Sequence, residues 1–376
     1  MITKQGFFKL AMFLLPIVVL IVAVRIINNT YYPVRSDYEK EIEKAGGVSI
    51  SDLRTRAPYV MFRPKSVKNS IQINSLGFHS PEISIDKKTN EFRIAILGSS
   101  AAYKGAYSIV NGKLHDATII GILTEILKKN SPSLRGKDVK YINGAIPSAV
   151  AGQELAQFIW HIIPLKIDLL IVFDGFNDFW APLNGYDPRI GYPYDYFVEE
   201  YRYYKFTSDK DYRSKKLVDY FKEPGTLVPT AVDVWERQQQ KIVTDYFKEL
   251  GIEKPPFPEV KPKILDAYFE NVSKISTIAN AYGIKSAIFL QPYSPIHNDT
   301  KRPEVRDLLD IYAMAGKRYK TLSEKNSATQ IYWDFSSYMS HKMKPLFVDI
   351  VHFTDKGNEM IAEEMYSIMK KRGMVD

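Results

Sequence analysis

Four short polar groups in this 376-residue chain stand where apolar runs stop, and their residue types are those of acyl-transfer chemistry. Gly98-Ser99-Ser100 follows Arg93–Leu97, and Asn143-Gly144-Ala145 closes Asp138–Asn143. Gly175-Phe176-Asn177-Asp178 follows Asp168–Phe173, and Asp349-Ile350-Val351-His352 precedes the last helical stretch. A serine hydroxyl is a weak nucleophile until a base takes its proton. His352 suits that role, with an ordinary imidazole pKa of ~6.5. Asp349, three residues earlier, can bond the other ring nitrogen, fix the tautomer and stabilise the imidazolium. Attack on a carbonyl creates an oxyanion that needs preorganised donors. The Ser100 N–H, an N–H at Gly144 or Ala145 and the Asn177 side-chain amide would supply three. Gly175 fits the tight turn that presents Asn177 beside the nucleophile.

Each group alone is ordinary. A Gly-Ser-Ser after a strand is usually a turn or a helix cap, and an Asn-Asp pair usually a loop. The other histidines (His79, His115, His161, His297 and His341) serve as controls, because none has an aspartate three residues before it. Tyr103, just past Ser100, and Trp180, just past Asp178, are candidates to line a substrate pocket; core packing competes with that reading.

Such groups must be carried by elements. Arg93–Leu97, Asp138–Asn143, Asp168–Phe173, Lys285–Leu290 and Gln330–Phe335 are short apolar runs that predict strands. Between and after them, His115–Lys129, Gly152–Ile163, Val260–Tyr282, Glu304–Asn326 and Asp355–Lys371 have helical spacing. This alternation predicts an α/β fold with a mainly parallel five-stranded sheet covered on both faces. Ligands in such folds sit at the carboxyl ends of the strands, where the polar groups lie. Ile71–Glu82 predicts an edge strand or lead-in, and Asp37–Lys44 a short helix. Between about 184 and 258 the alternation lapses into a Tyr-rich insertion, with a helix expected over Val232–Leu250. The insertion fits either a packed cover or a substrate lid.

The order strand–GSS, strand–NGA, strand–GFND, then DIVH before a terminal helix resembles the SGNH-hydrolase superfamily, also called GDSL-like hydrolases. The match spans about residues 92–372. The resemblance implies a flavodoxin-like three-layer α/β/α fold, with Ser100 as nucleophile, Asn177 as oxyanion amide, and Asp349 and His352 completing a triad. Gly-Ser-Ser stands where the family has Gly-Asp-Ser, which spares the nucleophile. The family's Asn-x-Gly is Asn143-Gly144-Ala145 here, so either Gly144 or Ala145 takes the donor position. Asn74–Glu82 is also similar to a segment before the first strand in envelope-associated members.

The N-terminus has a different character. Leu10–Val24 is unbroken apolar sequence. With its apolar flanks it reaches about 20 residues, enough for a hydrocarbon core of roughly 30 Å. It predicts a membrane anchor over 1–28, or a signal peptide with Lys4 and Lys9 as its charged region. A linker and lead-in over 29–90 and a catalytic domain over 91–376 follow. The lysines on a very short tail predict an N-terminus inside and the bulk of the chain outside the cytoplasm; cleavage would instead give a secreted protein.

Composition narrows the chemistry. There is no cysteine, which excludes disulfides, Cys-ligated metals and a cysteine nucleophile. Net charge is +8, but 43 acidic residues are mixed among 51 basic ones, with no basic stripe for nucleic acid. No phosphate loop, dinucleotide fingerprint or metal-ligand cluster stands out, so neither cofactor nor metal is expected. The expected function is an extracytoplasmic serine esterase on O-acyl esters, with an acylated carbohydrate or lipid ester as substrate and the membrane as partner. An O-acyltransferase on the same residues is the first rival, and a non-catalytic envelope carbohydrate-binding protein the second.

Overall fold

Strands buried on both faces need near-continuous apolar sequence, and the computed structural model places three such runs at the centre of a five-stranded main sheet. It describes residues 54–57, 61–64, 73–103, 109–110, 113–114, 118–183, 257–294, 303–339, 346–347 and 350–376. The expected membrane segment, the helix over Asp37–Lys44, most of the Tyr-rich insertion and its helix all lie outside these residues, as does Asp349. Among the described residues no helix is long and apolar enough to cross a membrane.

Two short antiparallel pairs accompany the main sheet. One joins β1 (Arg54–Ala57) to β2 (Met61–Pro64), and the other joins β4 (Ile109–Val110) to β5 (Lys113–Leu114). The five strands of the main sheet are β3 (Glu91–Gly98), β6 (Asp138–Asn143), β7 (Leu169–Asp174), β8 (Lys285–Leu290) and β9 (Gln330–Asp334). They are all parallel, in the order β6-β3-β7-β8-β9. Counted along the sheet's own strands this is 2-1-3-4-5, the flavodoxin-like order. The first strand lies between the second and third, so the chain reverses its winding there.

Period-two alternation separates two cores. Ile94, Ile96, Leu169, Ile171, Phe173 and Phe289 face one side, against helices α2 (Ile119–Asn130) and α7 (Asp355–Lys371). Ala95, Leu97, Leu170, Val172, Ile288 and Leu290 face the other. Helices α5 (Phe257–Ala281) and α6 (Pro303–Ser323) cover that side through residues such as Leu265, Val272, Ile311 and Tyr319. Short helices α1 (Ser100–Tyr103), α3 (Ala151–Gln157) and α4 (Phe176–Leu183) leave the carboxyl ends of β3, β6 and β7.

Element ends depart from the sequence reading for local reasons. Helix α2 begins at Ile119, because Thr118 is extended and its Oγ1 accepts the Gly121 N–H at 3.1 Å, a side-chain cap. Helix α3 stops at Gln157, where a π-turn (Phe158–Ile162) and a 3₁₀ turn (Ile163–Leu165) continue to Lys166 at φ 53°. The described part of Ile71–Glu82 is no strand. Asn74 Oδ1 accepts the N–H groups of Leu76 and Phe78, and Gly77 has φ 90°, so the side chain folds the segment into a turn. The segment is a lead-in: Ser80 Oγ accepts the Asn143 N–H at 2.7 Å, capping the carboxyl end of edge strand β6.

Candidate active site

The chain reverses its winding between β3 and β7, and the carboxyl ends of these strands are the expected ligand position in such a sheet. Gly98 ends β3 at φ 151°, and a Cβ there would lie 2.3 Å from the Phe173 carbonyl oxygen. Only glycine permits this approach of β3 to β7. The carbonyl of buried Ser99 then accepts the N–H groups of Ala102 and Tyr103 at 3.1 and 2.9 Å, which folds α1 at once. Ser100 is its first residue and is half-buried. The buried Asn143 side chain donates from Nδ2 to the Tyr103 carbonyl at 3.0 Å, fastening the far end of α1 to β6.

His352 arrives from the opposite end of the chain. Its Nε2 lies 2.8 Å from Ser100 Oγ, across 252 residues of sequence. His352 is buried, 8% exposed. Its loop is held on both sides. The Ile350 carbonyl accepts the Ser294 N–H at 2.9 Å, tying the loop to the end of β8. Thr354 caps α7 through Oγ1, which accepts the Gly357 N–H at 3.2 Å. Asp349, expected to hold the other ring nitrogen, lies outside the described residues.

Asn177 is positioned by Gly175. That glycine turns at φ 127°, and a Cβ on it would meet Leu290 Cδ1 at 2.5 Å. The Asn177 amide donates one proton from Nδ2 to the Ala149 carbonyl at 2.9 Å. An amide nitrogen carries two protons, so one remains for another acceptor.

The geometry separates the two expected backbone donors. The Gly144 N–H donates to the Ile96 carbonyl at 2.9 Å, one more rung between β6 and β3, and so has no proton for an oxyanion. Packing explains this glycine, because a Cβ there would lie 2.9 Å from Ile162 Cδ1 and 3.1 Å from the Ile96 oxygen. The Ala145 N–H reaches only Asn143 Oδ1, at 3.3 Å, a weak bond that a developing negative charge can outcompete.

The two expected lining residues differ in their surroundings. Tyr103 is 1% exposed and packs in the core, its ring 5.1 Å from that of His79. It points into the protein because α1 is a single turn folded down on β3. Trp180 is half-buried and stacks on Phe176, centroids 5.9 Å apart and rings 12° from parallel. Phe176 in turn meets Tyr293 at 5.5 Å. Trp180 is thus one plate of an aromatic stack beside Asn177.

A group of carboxyls under this site was not anticipated. Glu154 on α3 and Asp174 at the end of β7 are buried, and Asp178 on α4 is half-buried. Burial, with Asp174 and Asp178 alongside, pushes the Glu154 carboxyl well above the ordinary range. Burial and the Asp174 charge push Asp178 well up as well. Asp174 is raised by burial, while Asp178, the Gly175 backbone and Glu154 beside it favour its ionised form. Of the three, Asp174 is the one whose neighbours favour its ionised form. An Asp ending a fully apolar strand is the one trace of this in the sequence. Among the described residues no group of three His, Asp or Glu side chains is arranged to hold a metal ion.

No family model matches the chain. No curated protein matches it either. Solved structures do. A GDSL-like lipase from Bacteroides thetaiotaomicron is similar at 13% identity, over 77% of this chain and 92% of that one, with a TM-score of 0.37. A catalytic mutant of an acetylxylan esterase from Geobacillus stearothermophilus is similar at 12% identity, over 74% and 94%, with a TM-score of 0.40. A lipase/acylhydrolase from Enterococcus faecalis is similar at 11% identity, over 75% and 96%, with a TM-score of 0.37.

Proposed function

We propose that this chain is a serine esterase of the SGNH type that cleaves O-acyl esters through an acyl-enzyme on Ser100. The observation that carries the reading is the 2.8 Å pair of Ser100 Oγ and His352 Nε2 at the switch point of the parallel sheet. A histidine at hydrogen-bond distance from a serine is the activation that a hydroxyl nucleophile needs.

In this reading His352 Nε2 takes the Ser100 proton as Oγ bonds to the ester carbonyl carbon. The carbonyl oxygen becomes an oxyanion facing the Ser100 N–H, the Ala145 N–H and the second amide proton of Asn177. Collapse breaks the bond to the alcohol oxygen, which leaves with the proton from His352. Water then repeats the cycle: His352 takes its proton, its oxygen bonds to the acyl carbon, and Ser100 regains a proton as the acid departs. Asp349 is assigned to the second ring nitrogen, where it keeps the tautomer and steadies the imidazolium.

We place the reaction outside the cytoplasm, with the Leu10–Val24 run holding the chain at the membrane and an acetylated envelope or secreted polysaccharide as substrate. The charge distribution around the apolar run supports the first part. The Tyr-rich stretch after Asn184 supports the second, since aromatic faces suit sugar rings.

The test uses the full-length protein in mild detergent, with a fluorophosphonate probe and p-nitrophenyl acetate, beside Ser100→Ala. Labelling and hydrolysis that vanish in the variant are expected. A folded wild type that neither labels nor hydrolyses, or a variant that does both, defeats the assignment.

A further inference from the structure

Asn177 and Asp178 are adjacent on α4, and they grip the same loop on either side of one residue. Asn177 Nδ2 donates to the Ala149 carbonyl at 2.9 Å. Asp178 accepts the Ala151 N–H on Oδ1 at 3.0 Å and Oδ2 at 3.2 Å. Val150 between them donates its own N–H to Gln153 Oε1 at 2.9 Å, closing the start of α3. The loop leads back through Ser148, which is held at φ 68°. A non-glycine residue persists there only when its surroundings over-determine it. Three residues earlier stands Ala145, whose N–H faces the oxyanion in the reading above. The two halves of the oxyanion hole therefore lie on separate elements, the loop after β6 and helix α4. The Asn177–Asp178 pair is what joins them.

Behind Asp178 the support continues. Both carboxyl oxygens of Glu154 and both of Asp174 are buried with no hydrogen-bond partner among the described residues. Buried polar groups need partners, and the groups that act on these two carboxyls are one another and Asp178. A helix cap alone requires no such backing, since a solvated aspartate caps equally well.

We propose that Asp178 is a positioning residue of the oxyanion hole. It holds the loop carrying Ala145 against the helix carrying Asn177, and Glu154 and Asp174 fix its carboxyl in that place. The proposal rests on the esterase reading for its kinetic consequence, but its geometric content stands apart from turnover.

The test therefore has two arms on the full-length protein. Asp178→Ala removes the grip, whereas Asp178→Asn keeps an acceptor for the Ala151 N–H and a donor toward Asp174. The first arm reads p-nitrophenyl acetate hydrolysis. Asp178→Ala should lower kcat at least tenfold with KM within twofold, and Asp178→Asn should recover it to within about threefold of wild type. In Asn177→Ala protein the added Asp178→Ala should cost under threefold, because the clamp has already lost its other half. Full multiplication of the two losses, unchanged kcat in Asp178→Ala, or no rescue by Asp178→Asn overturns the proposal. If Asp178→Ala does not fold, Ala151→Pro takes its place. It removes the donated N–H at a first helical position, where proline is tolerated and Val150 is already extended. Wild-type kcat in that variant also overturns the proposal.

The second arm reads amide hydrogen exchange over residues 144–151. Faster exchange confined to this loop in Asp178→Ala, restored in Asp178→Asn, is the expected result; an unchanged loop overturns the clamp whatever the turnover. A wild type without esterase activity but with this exchange pattern refutes the esterase and keeps the clamp.

Discussion

One amide proton of Asn177 is committed to the Ala149 carbonyl, and the other is the donor that the oxyanion would meet. Asn177→Ala removes both, so it should lower kcat by about 10²–10³, as for a lost oxyanion donor, with a smaller effect on KM. Steady-state kinetics on a small ester measures this, and a kcat within a factor of three of wild type removes Asn177 from the hole. The residues that bear this chemistry were visible in the sequence because short polar groups after apolar runs are rare enough to be counted. Ser100, Asn177 and His352 were picked out that way, and the first and last now stand in contact. Gly144 was a candidate, with Ala145, for its place after the second strand and the likeness of Asn143-Gly144-Ala145 to an Asn-x-Gly block. Its N–H bonds to Ile96, which follows from strand register and not from residue type.

Elements fix these side chains through their ends, and Thr354 is the clearest case. Its Oγ1 accepts the Gly357 N–H and so starts α7 three residues after His352. Thr354→Ala should cost about 1 kcal/mol of stability, read as a lower urea midpoint with an unchanged slope. A midpoint equal to that of wild type would show that the cap contributes nothing. The three inner strands were legible because parallel strands buried on both faces are nearly continuous apolar sequence, whereas the edge strands β6 and β9 carry polar residues among their apolar ones. Helix α7 was legible for the complementary reason, since its apolar residues recur on one face. Helix α3 was read too long. Its apolar spacing continues through Phe158 and Ile162, both buried, so hydropathy carries no mark of the change to a π-turn there. Lead-in residues 73–82 alternate like a strand, yet Asn74 folds them into a turn through its own side chain.

At the scale of the whole molecule, the sheet order puts Ser100 and Asn177 at one switch point and stacks three carboxyls beneath them. Sequence could not show the second feature, because Glu154, Asp174 and Asp178 belong to three separate elements and acidic residues ordinarily face solvent. Their placement has a consequence for stability. The folded-state pKa of Glu154 is raised above the ordinary value of 4.5, with burial the largest cause and the Asp174 and Asp178 charges next. The unfolded chain releases this proton near pH 4.5, whereas the folded chain keeps it. The folded state then binds more protons, so rising pH favours unfolding. Stability from this group is complete below about pH 4.5 and falls from there up to the raised folded pKa; Asp174 and Asp178 shift in the same direction and steepen the fall. Glu154→Gln keeps a donor toward Asp174 and removes the Glu154 share of the slope. The variant should match wild type in urea midpoint near pH 4.5 and exceed it increasingly toward pH 8. An offset that stays constant across this range, or a wild type that is the more stable at pH 8, would mean that Glu154 is ionised in the folded protein. The carboxyls would then be held by something other than shared protons.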